Sequence, residues 1–195
     1  MTPDFQISFN KAIQSEGFIS NNKADHGGFT YKGISRTKHP AWPGWKIIDS
    51  IYRSTDYKSV QQLNNSTALQ TAVTNFYHTE FWNKIQGDLL PSQLIADELF
   101  ESSINLGVPP ASEILQRTIN LLNRNARLYP DILIDGIIGT QTLAALNKSI
   151  AANEEKLLFN LLNFYQAKRY IEIMERDHSQ EIFIGWFNRI EIIKT

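Results

Sequence analysis

Apolar residues recur at helical spacing along most of the chain. The first apolar stripe consists of Phe5, Phe9, Ala12 and Ile13. Glu16 continues this stripe three residues after Ile13,. Thr2 and Pro3 are typical of an N-cap and of the first helical position, and Gly17 is typical of the residue that follows a helix. The pattern therefore predicts an opening helix with a carboxylate at its end.

Helical periodicity resumes after a turn-rich segment and continues almost to the end of the chain. The predicted helices cover 45–52, 55–63, 66–81, 92–106, 111–123, 140–150, 154–176 and 180–191,. Glycine and proline at 107–110 end one of them. Within residues 18–36, the short segments on either side of Gly27-Gly28 are predicted to pair as an irregular hairpin. The expected fold is mostly α (α+β), with a small β-hairpin near residues 18–36.

Composition and charge narrow the classes of function. The 195 residues are 42% apolar and 20% charged, with a formal net charge of −1. Such a chain has no bulk positive charge with which to bind nucleic acid or an anionic membrane. It has no cysteine, and no apolar run reaches the length that spans a bilayer. The first residues lack the pattern of a signal peptide, so we expect synthesis in the cytoplasm without one, and no membrane insertion.

Glu16 and the two polar residues after it form the strongest candidate for chemistry. A carboxyl group on an apolar stripe, at the negative end of a helix dipole, is favoured in its protonated form, which a general acid requires. Asp25 follows after eight intervening residues and Thr30 after four more. Two carboxyl groups and a hydroxyl in this arrangement suit glycoside cleavage. The alternatives are a solvated helix end for Glu16 and a turn residue for Asp25.

Other chemistries find no support in the sequence. The four histidines lack metal-ligand spacing, and there is neither a G-x-S-x-G elbow nor a phosphate-binding loop,. No metal or organic cofactor is implied.

Several separated motifs resemble glycoside hydrolase family 108, the lysozyme-like muramidases of phage endolysins and prophage lysis proteins. The motifs are Glu16-Gly17-Phe18, Asp25-His26-Gly27-Gly28-Phe29-Thr30, Tyr77-His78-Thr79-Glu80-Phe81-Trp82, Leu99-Phe100-Glu101-Ser102-Ser103-Ile104-Asn105 and Gly185-Trp186-Phe187-Asn188-Arg189. The resemblance implies a lysozyme-like helical fold and Glu16 as the catalytic acid. Phe18 departs from the family pattern, which has a second glycine there.

Three residues are candidates for substrate binding. The aromatic faces of Tyr31 and Trp45 suit the CH surfaces of a sugar, although such residues are also common core anchors. The amide of Asn105 could bind an N-acetyl group or cap the turn before Gly107.

The segment from Leu115-Gln116 to Asp135-Gly136-Ile137-Ile138-Gly139-Thr140-Gln141-Thr142 resembles a peptidoglycan-binding module. The same residues also have a purely structural interpretation. Asp135-Gly136 then makes a turn, and Gly139 allows a close approach of another segment. Thr140 caps a helix that begins at residue 141. We expect a single lysozyme-like domain over 1–195, with a catalytic region at 1–107 and a helical region resembling a peptidoglycan-binding unit at 108–195.

Together these features predict a muramidase acting on peptidoglycan glycan strands, for bacterial cell lysis. Its catalytic residues are Glu16, Asp25 and Thr30, and we expect a monomer that reaches the wall through a holin or a secretion system. The alternatives are a non-catalytic wall-binding or secretion-assisting protein, and a chitinase or chitosanase on the same scaffold.

Overall fold

The computed structural model describes residues 2–13, 29–52 and 60–194, together with the backbone of Ile19–Ser20 and of residues 57–59. The α-helices are α1 (Phe5–Ile13), α2 (Gly44–Ile51), α3 (Tyr57–Asn65), α4 (Thr67–Tyr77), α5 (Gln93–Leu106), α6 (Val108–Leu122), α7 (Thr140–Ala151) and α8 (Glu155–Arg176). Shorter helical segments are a π-helical turn at His78–Trp82 and 3-10 helices at Gly87–Leu89 and His178–Arg189. The prediction of a mostly α fold is confirmed.

A small antiparallel sheet follows α1 in the chain. Its strands are β1 (Ile19–Ser20), β2 (Thr30–Tyr31) and β3 (Ile34–Ser35), in the order β1-β2-β3. The pairing of β1 with β2 confirms the hairpin predicted around Gly27-Gly28. A second hairpin, between β2 and β3, was not predicted from the sequence.

Helix α1 begins later than its sequence predicts. Asp4 caps it, because the Asp4 carboxylate accepts a hydrogen bond of 2.7 Å from the backbone N–H of Gln6,. The predicted N-cap at Thr2 is therefore wrong. Phe9 and Ala12 of the apolar stripe are buried, as the periodicity indicates.

The chain forms two compact units. The smaller unit is Phe9–Glu80, and the larger unit consists of Met1–Ser8 with Phe81–Thr195. The predicted organisation into regions 1–107 and 108–195 stays a prediction.

The smaller unit packs α2, α3 and α4 around an aromatic and aliphatic core. Its buried side chains include Trp45, Ile48, Leu63, Leu69, Val73 and Tyr77. Ser66 caps α4 by accepting a hydrogen bond from the N–H of Leu69,. Trp42 lies flat over Gly44, where an added Cβ would approach its ring to 2.2 Å. Only glycine fits under this indole.

The larger unit is built on α5, α6 and α8, which contact one another. Gly107 is the single residue between α5 and α6, at φ 95°, so it ends one helix and begins the next,. Helix α6 starts earlier than predicted, since Pro109 and Pro110 occupy its first turn, where proline needs no N–H partner,. The connection between α5 and α6 is thus only one residue long, and the two prolines belong to the first turn of α6.

The last helical segment differs in type from its prediction. Residues His178–Arg189 form two 3-10 helical pieces on either side of a kink at Phe183, and Asp177 caps the first by accepting a hydrogen bond of 3.0 Å from the N–H of Ser179. Ile182 and Ile184 are strongly exposed, so this segment has no buried apolar stripe to hold an α-helix,. In the described part of the chain, no helix has both the length and the apolar character needed to cross a bilayer.

Candidate functional site

Two of the predicted catalytic residues, Glu16 and Asp25, lie outside the described residues, as does Phe18. Their roles stay predictions. Helix α1 precedes Glu16 in the chain, and β1 and β2 lie on either side of the segment that contains Asp25.

Thr30 lies in the central strand of the sheet. It faces Ser20 of β1 on one side and Ser35 of β3 on the other. Its side chain is half-buried. The backbone of Thr30 is therefore held in place by pairing with strands on both sides, which a threonine in a loop would lack.

The hairpin that carries Thr30 turns at Lys32-Gly33. Both residues have positive φ, 45° and 78°, which is the conformation of a two-residue type I′ turn,. This turn matches the twist of the strands and brings Tyr31 opposite Ile34. The signal was present in the sequence as a glycine between two short β-prone segments.

Helix α4 anchors this hairpin through polar side chains. The Tyr77 hydroxyl donates to the Lys32 carbonyl oxygen at 2.7 Å, and the Lys32 ammonium donates to Gln70 Oε1 at 2.6 Å. Gln70 Nε2 in turn donates to the Tyr31 hydroxyl at 3.1 Å and to the Leu63 carbonyl oxygen at 3.0 Å. Burial lowers the pKa of Lys32, because a cation loses hydration there,. The hairpin is thereby fixed relative to α4.

Tyr31 and Trp45, the predicted aromatic contacts to substrate, are both enclosed. Tyr31 is 0% exposed, and burial raises the pKa of its phenol against the opposing effect of the Gln70 hydrogen bond. Trp45 is 3% exposed and donates its indole N–H to the His39 carbonyl oxygen at 2.7 Å. In this arrangement neither ring offers an open face to a sugar, and their substrate-binding role stays a prediction.

The amide of Asn105 is used within its own helix. Asn105 Nδ2 donates to the carbonyl oxygen and to the carboxylate of Glu101, both at 3.0 Å. The N–H of Gly107 bonds to Ser103 instead, so Asn105 does not cap that turn. A contact with substrate stays a prediction for this residue.

A buried polar network joins α5 to α8, and the pattern of apolar positions did not predict it. Ser102 Oγ bonds to Glu98 at 3.2 Å and to Gln166 at 3.1 Å, and Gln166 Nε2 donates to the Tyr170 hydroxyl at 2.7 Å. Burial raises the pKa of Tyr170 to about 12. The signal was a glutamate and a serine four residues apart among apolar positions of α5. The network holds polar groups that would be costly to bury unpaired.

The Asp135-Gly136 motif forms an internal clasp around Gln116. Gln116 Oε1 accepts from the N–H groups of Asp135 and Gly136, each at 3.0 Å, while Nε2 donates to the Asp135 carboxylate at 2.7 Å. The hydrogen bond from Gln116, and then that from the Ile137 N–H, lowers the pKa of Asp135. The motif thus fixes the loop before α7.

Two details of this motif differ from the sequence interpretation. A Cβ added at Gly139 meets nothing within 4 Å, whereas one at Gly136 would lie 3.1 Å from the Pro109 carbonyl oxygen. Gly136 is therefore the glycine that allows a close approach of another part of the backbone. The prediction that Gly139 does so is wrong. Thr140 is the first residue of α7, and Gly139 is the N-cap with no side-chain cap bond, so the predicted Thr140 cap is wrong too.

A groove on the smaller unit combines an aromatic wall with polar side chains. We call it the α4 groove; it has a volume of about 370 Å³. Its lining includes Trp42, Phe76, Thr71, Asn75, Thr79 and Glu80. The Trp42 indole N–H donates to the Ala72 carbonyl oxygen at 3.3 Å, so the wall is fixed. Thr79 and Glu80 belong to the π-helical turn, a distortion that is frequent at functional sites,.

Comparison with known families and structures defines the class of protein. The sequence model described as Glycosyl hydrolase 108 matches residues 9–107, and that described as Predicted Peptidoglycan domain matches residues 110–191. These matches support a peptidoglycan hydrolase, that is, a glycoside hydrolase with peptidoglycan as its substrate. The chain belongs to the glycosyl hydrolase 108 family, which confirms the resemblance seen in the sequence.

The fold also resembles solved structures. The structure of Brucella abortus SagA aligns with a TM-score of 0.64 at 24% identity, over 95% of this chain and 88% of that chain. At this identity the likeness shows a shared fold. No curated protein gives a significant sequence match.

Proposed function

We propose that the protein is an N-acetylmuramidase that hydrolyses the β-1,4 bond between N-acetylmuramic acid and N-acetylglucosamine. The observation that carries this proposal is the family match over residues 9–107, which includes Glu16, Asp25 and Thr30.

In the proposed mechanism Glu16 is the general acid that protonates the leaving glycosidic oxygen. Asp25 is the second carboxylate, and Thr30 helps to hold the attacking water. We favour inversion of the anomeric centre, which requires room for a water molecule between the two carboxyl groups. The fixed position of Thr30, in the central strand of a hairpin anchored to α4, supports its role in orienting water,.

The α4 groove is proposed as a place where the glycan strand binds. Sugar hydroxyls both donate and accept hydrogen bonds, as do the side chains of Thr71, Asn75 and Thr79. Among the lining aromatics, the half-buried ring of Phe76 supplies an apolar surface for the CH face of a sugar ring, and the buried Trp42 lies in the core of the same unit,. Its volume of about 370 Å³ lies within the range of ~300–1,000 Å³ that is typical of small-molecule sites,.

Purified peptidoglycan tests the proposal through loss of turbidity. Glu16→Gln keeps the size of the side chain but removes the acid, so we expect a fall in rate of roughly 100-fold or more. Asp25→Asn should also reduce the rate if Asp25 is catalytic, and an unchanged rate would make it a turn residue. Equal clearing by wild type and Glu16→Gln would reject the acid assignment.

Product analysis tests the bond that is cleaved. A muramidase leaves N-acetylmuramic acid at the new reducing end, so borohydride reduction followed by mass spectrometry should give its alcohol. Proton NMR of fresh products should show the α-anomer first for an inverting enzyme. Activity on chitin instead would favour the chitinase alternative, and binding of peptidoglycan without cleavage would favour the wall-binding alternative.

We further propose that the protein acts as a monomer in cell lysis, after leaving the cytoplasm through a holin or a secretion system. Expression in a bacterial host should cause lysis only when a holin is co-expressed. Lysis by the protein alone would contradict this route, and a dimer in size-exclusion chromatography with light scattering would contradict the monomer.

A further inference from the structure

The region that matches the peptidoglycan domain has a polar groove apart from its sequence motif. The polar atoms of Gln116 and Asp135 are used in the internal clasp described above. Recognition of peptidoglycan by this region therefore needs other side chains. The groove between α6 and α8 supplies them.

This α6–α8 groove has a volume of about 450 Å³. Pro110 and the nearly buried Ile114 form an apolar part of the lining, next to the half-buried Tyr165. The charged lining consists of Arg117, Lys168, Arg169, Glu113 and Glu172. The groove thus carries three cations and two carboxylates, a surplus of one positive charge.

The two arginines of the groove are only loosely engaged by its carboxylates. Arg117 Nη2 lies 3.6 Å from Glu113, and Arg169 Nη1 lies 3.8 Å from Glu172. Charge-assisted hydrogen bonds are shorter, roughly 2.7–2.9 Å. By contrast, Arg124 of the same unit contacts Glu154 at 2.6 Å. The guanidinium groups of Arg117 and Arg169 can therefore still offer N–H donors to an incoming carboxylate.

We propose that the α6–α8 groove binds the stem peptide of peptidoglycan through its free carboxylates. This inference rests on the proposed action on peptidoglycan. A stem peptide carries the α-carboxylate of its γ-linked glutamate and a terminal carboxylate, together with alanine methyl groups and, in many bacteria, the amine of a diamino acid. Arg117 and Arg169 bind the carboxylates, Glu113 faces the amine, and Ile114 and Tyr165 contact the methyl groups.

Charge selects the peptide over the glycan as the occupant. The lactyl carboxyl of N-acetylmuramic acid is consumed in the amide bond to the peptide, so a substituted glycan strand is neutral. Guanidinium groups bind planar carboxylates with two parallel hydrogen bonds, and a neutral sugar offers no such partner.

Isothermal titration of the full-length protein with the tetrapeptide L-alanyl-γ-D-glutamyl-meso-diaminopimelyl-D-alanine tests this site. We expect measurable binding by the wild type. Arg117→Gln and Arg169→Gln should each raise Kd roughly fivefold or more. The matched control is Arg127→Gln, which removes an exposed arginine outside the groove and should leave Kd unchanged. A tetrapeptide with amidated carboxyl groups should bind more weakly than the free acid.

Several outcomes would overturn the inference. These are no binding of the tetrapeptide by the wild type, an unchanged Kd in both groove variants, and equal binding of the amidated peptide. Equal competition by DNA or heparin would also overturn it, because it would show a general anion surface. Cleavage of peptide-free glycan strands is measured separately. If the protein cleaves these strands but does not bind the tetrapeptide, only the proposed peptide site is rejected. If it binds the tetrapeptide but does not cleave the strands, the proposed muramidase activity is rejected.

Discussion

The hydroxyl of Tyr77 donates a hydrogen bond of 2.7 Å to the backbone carbonyl oxygen of Lys32, at the tip of the β2–β3 turn. This bond joins the last residue of α4 to the hairpin that carries Thr30. Because the strands are only two residues long, the hairpin depends on such tertiary contacts for its order,.

Replacing Tyr77 by phenylalanine removes this bond and leaves the ring in place. The free energy of unfolding should fall by about 1–2 kcal/mol, because a partly buried carbonyl loses its partner. Urea denaturation measures this change, and the rate of peptidoglycan clearing should fall as well. Tyr52→Phe is the control, since it deletes a hydroxyl from a half-exposed tyrosine of the same unit. Equal stability of the two variants would show that the bond does not fix the hairpin.

The two glycines of the Asp135 motif should differ strongly in their response to alanine. Gly136 has φ 73° and would bring a Cβ to 3.1 Å from the Pro109 carbonyl oxygen, so Gly136→Ala should destabilise by about 1–2 kcal/mol,. Gly139 has φ −103° and open space around its Cβ position. Gly139→Ala meets no clash but places alanine at the N-cap of α7, where glycine is preferred, so it should change stability by less than about 0.5 kcal/mol,. Thermal melts of both variants test this pair, and a larger loss at Gly139 would contradict the structure.

The clasp around Gln116 predicts a dependence of stability on acid pH. The pKa of Asp135 is lowered in the folded protein, so its contribution is present above the unfolded aspartate value of about 3.9 and is lost as pH falls through the folded value,. Asp135→Asn cannot titrate. The Tm of the wild type should therefore fall more steeply than that of the variant as pH falls below about 4. Parallel melting curves would show that Asp135 does not contribute to acid unfolding.

Asn75 tests the proposed sugar contacts of the α4 groove. It is exposed and lines the groove, so Asn75→Ala should leave stability nearly unchanged. If its amide bonds to a sugar, KM for glycan strands should rise roughly three- to tenfold with little change in kcat. Asn65→Ala, at an exposed asparagine of α3, is the matched control. Unchanged KM in the Asn75 variant would remove this residue from the substrate contacts.

Periodicity predicted α5, α6 and α8 well because each of these helices buries an apolar stripe. Errors fall where local hydrogen bonds decide the outcome. Asp4 displaced Thr2 as the cap of α1, and α4 changes to π-helical geometry before the predicted end at 81. Such choices depend on one or two bonds, which a pattern of apolar positions does not encode.

Site prediction was limited for a different reason. Residue type identified Tyr31 and Trp45 as sugar-stacking candidates, yet aromatic residues serve cores and ligands equally well, and both are enclosed here. Similarly, Glu98 resembles a surface residue of α5 until Ser102 and Gln166 are seen next to it. The partners of these side chains come from distant parts of the chain, so only the fold brings them together.

The single residue between α5 and α6 has a consequence for how this protein can be divided. Gly107 ends the segment matched by the hydrolase family, and the peptidoglycan-domain match begins at residue 110. Yet α5 packs on α6 and α8 within one compact unit. The segments that share ancestry with other proteins are therefore not the segments that fold together. A chimera built by exchanging residues 110–191 would strip α5 of its partners, so a graft of this region has to carry α5 with it.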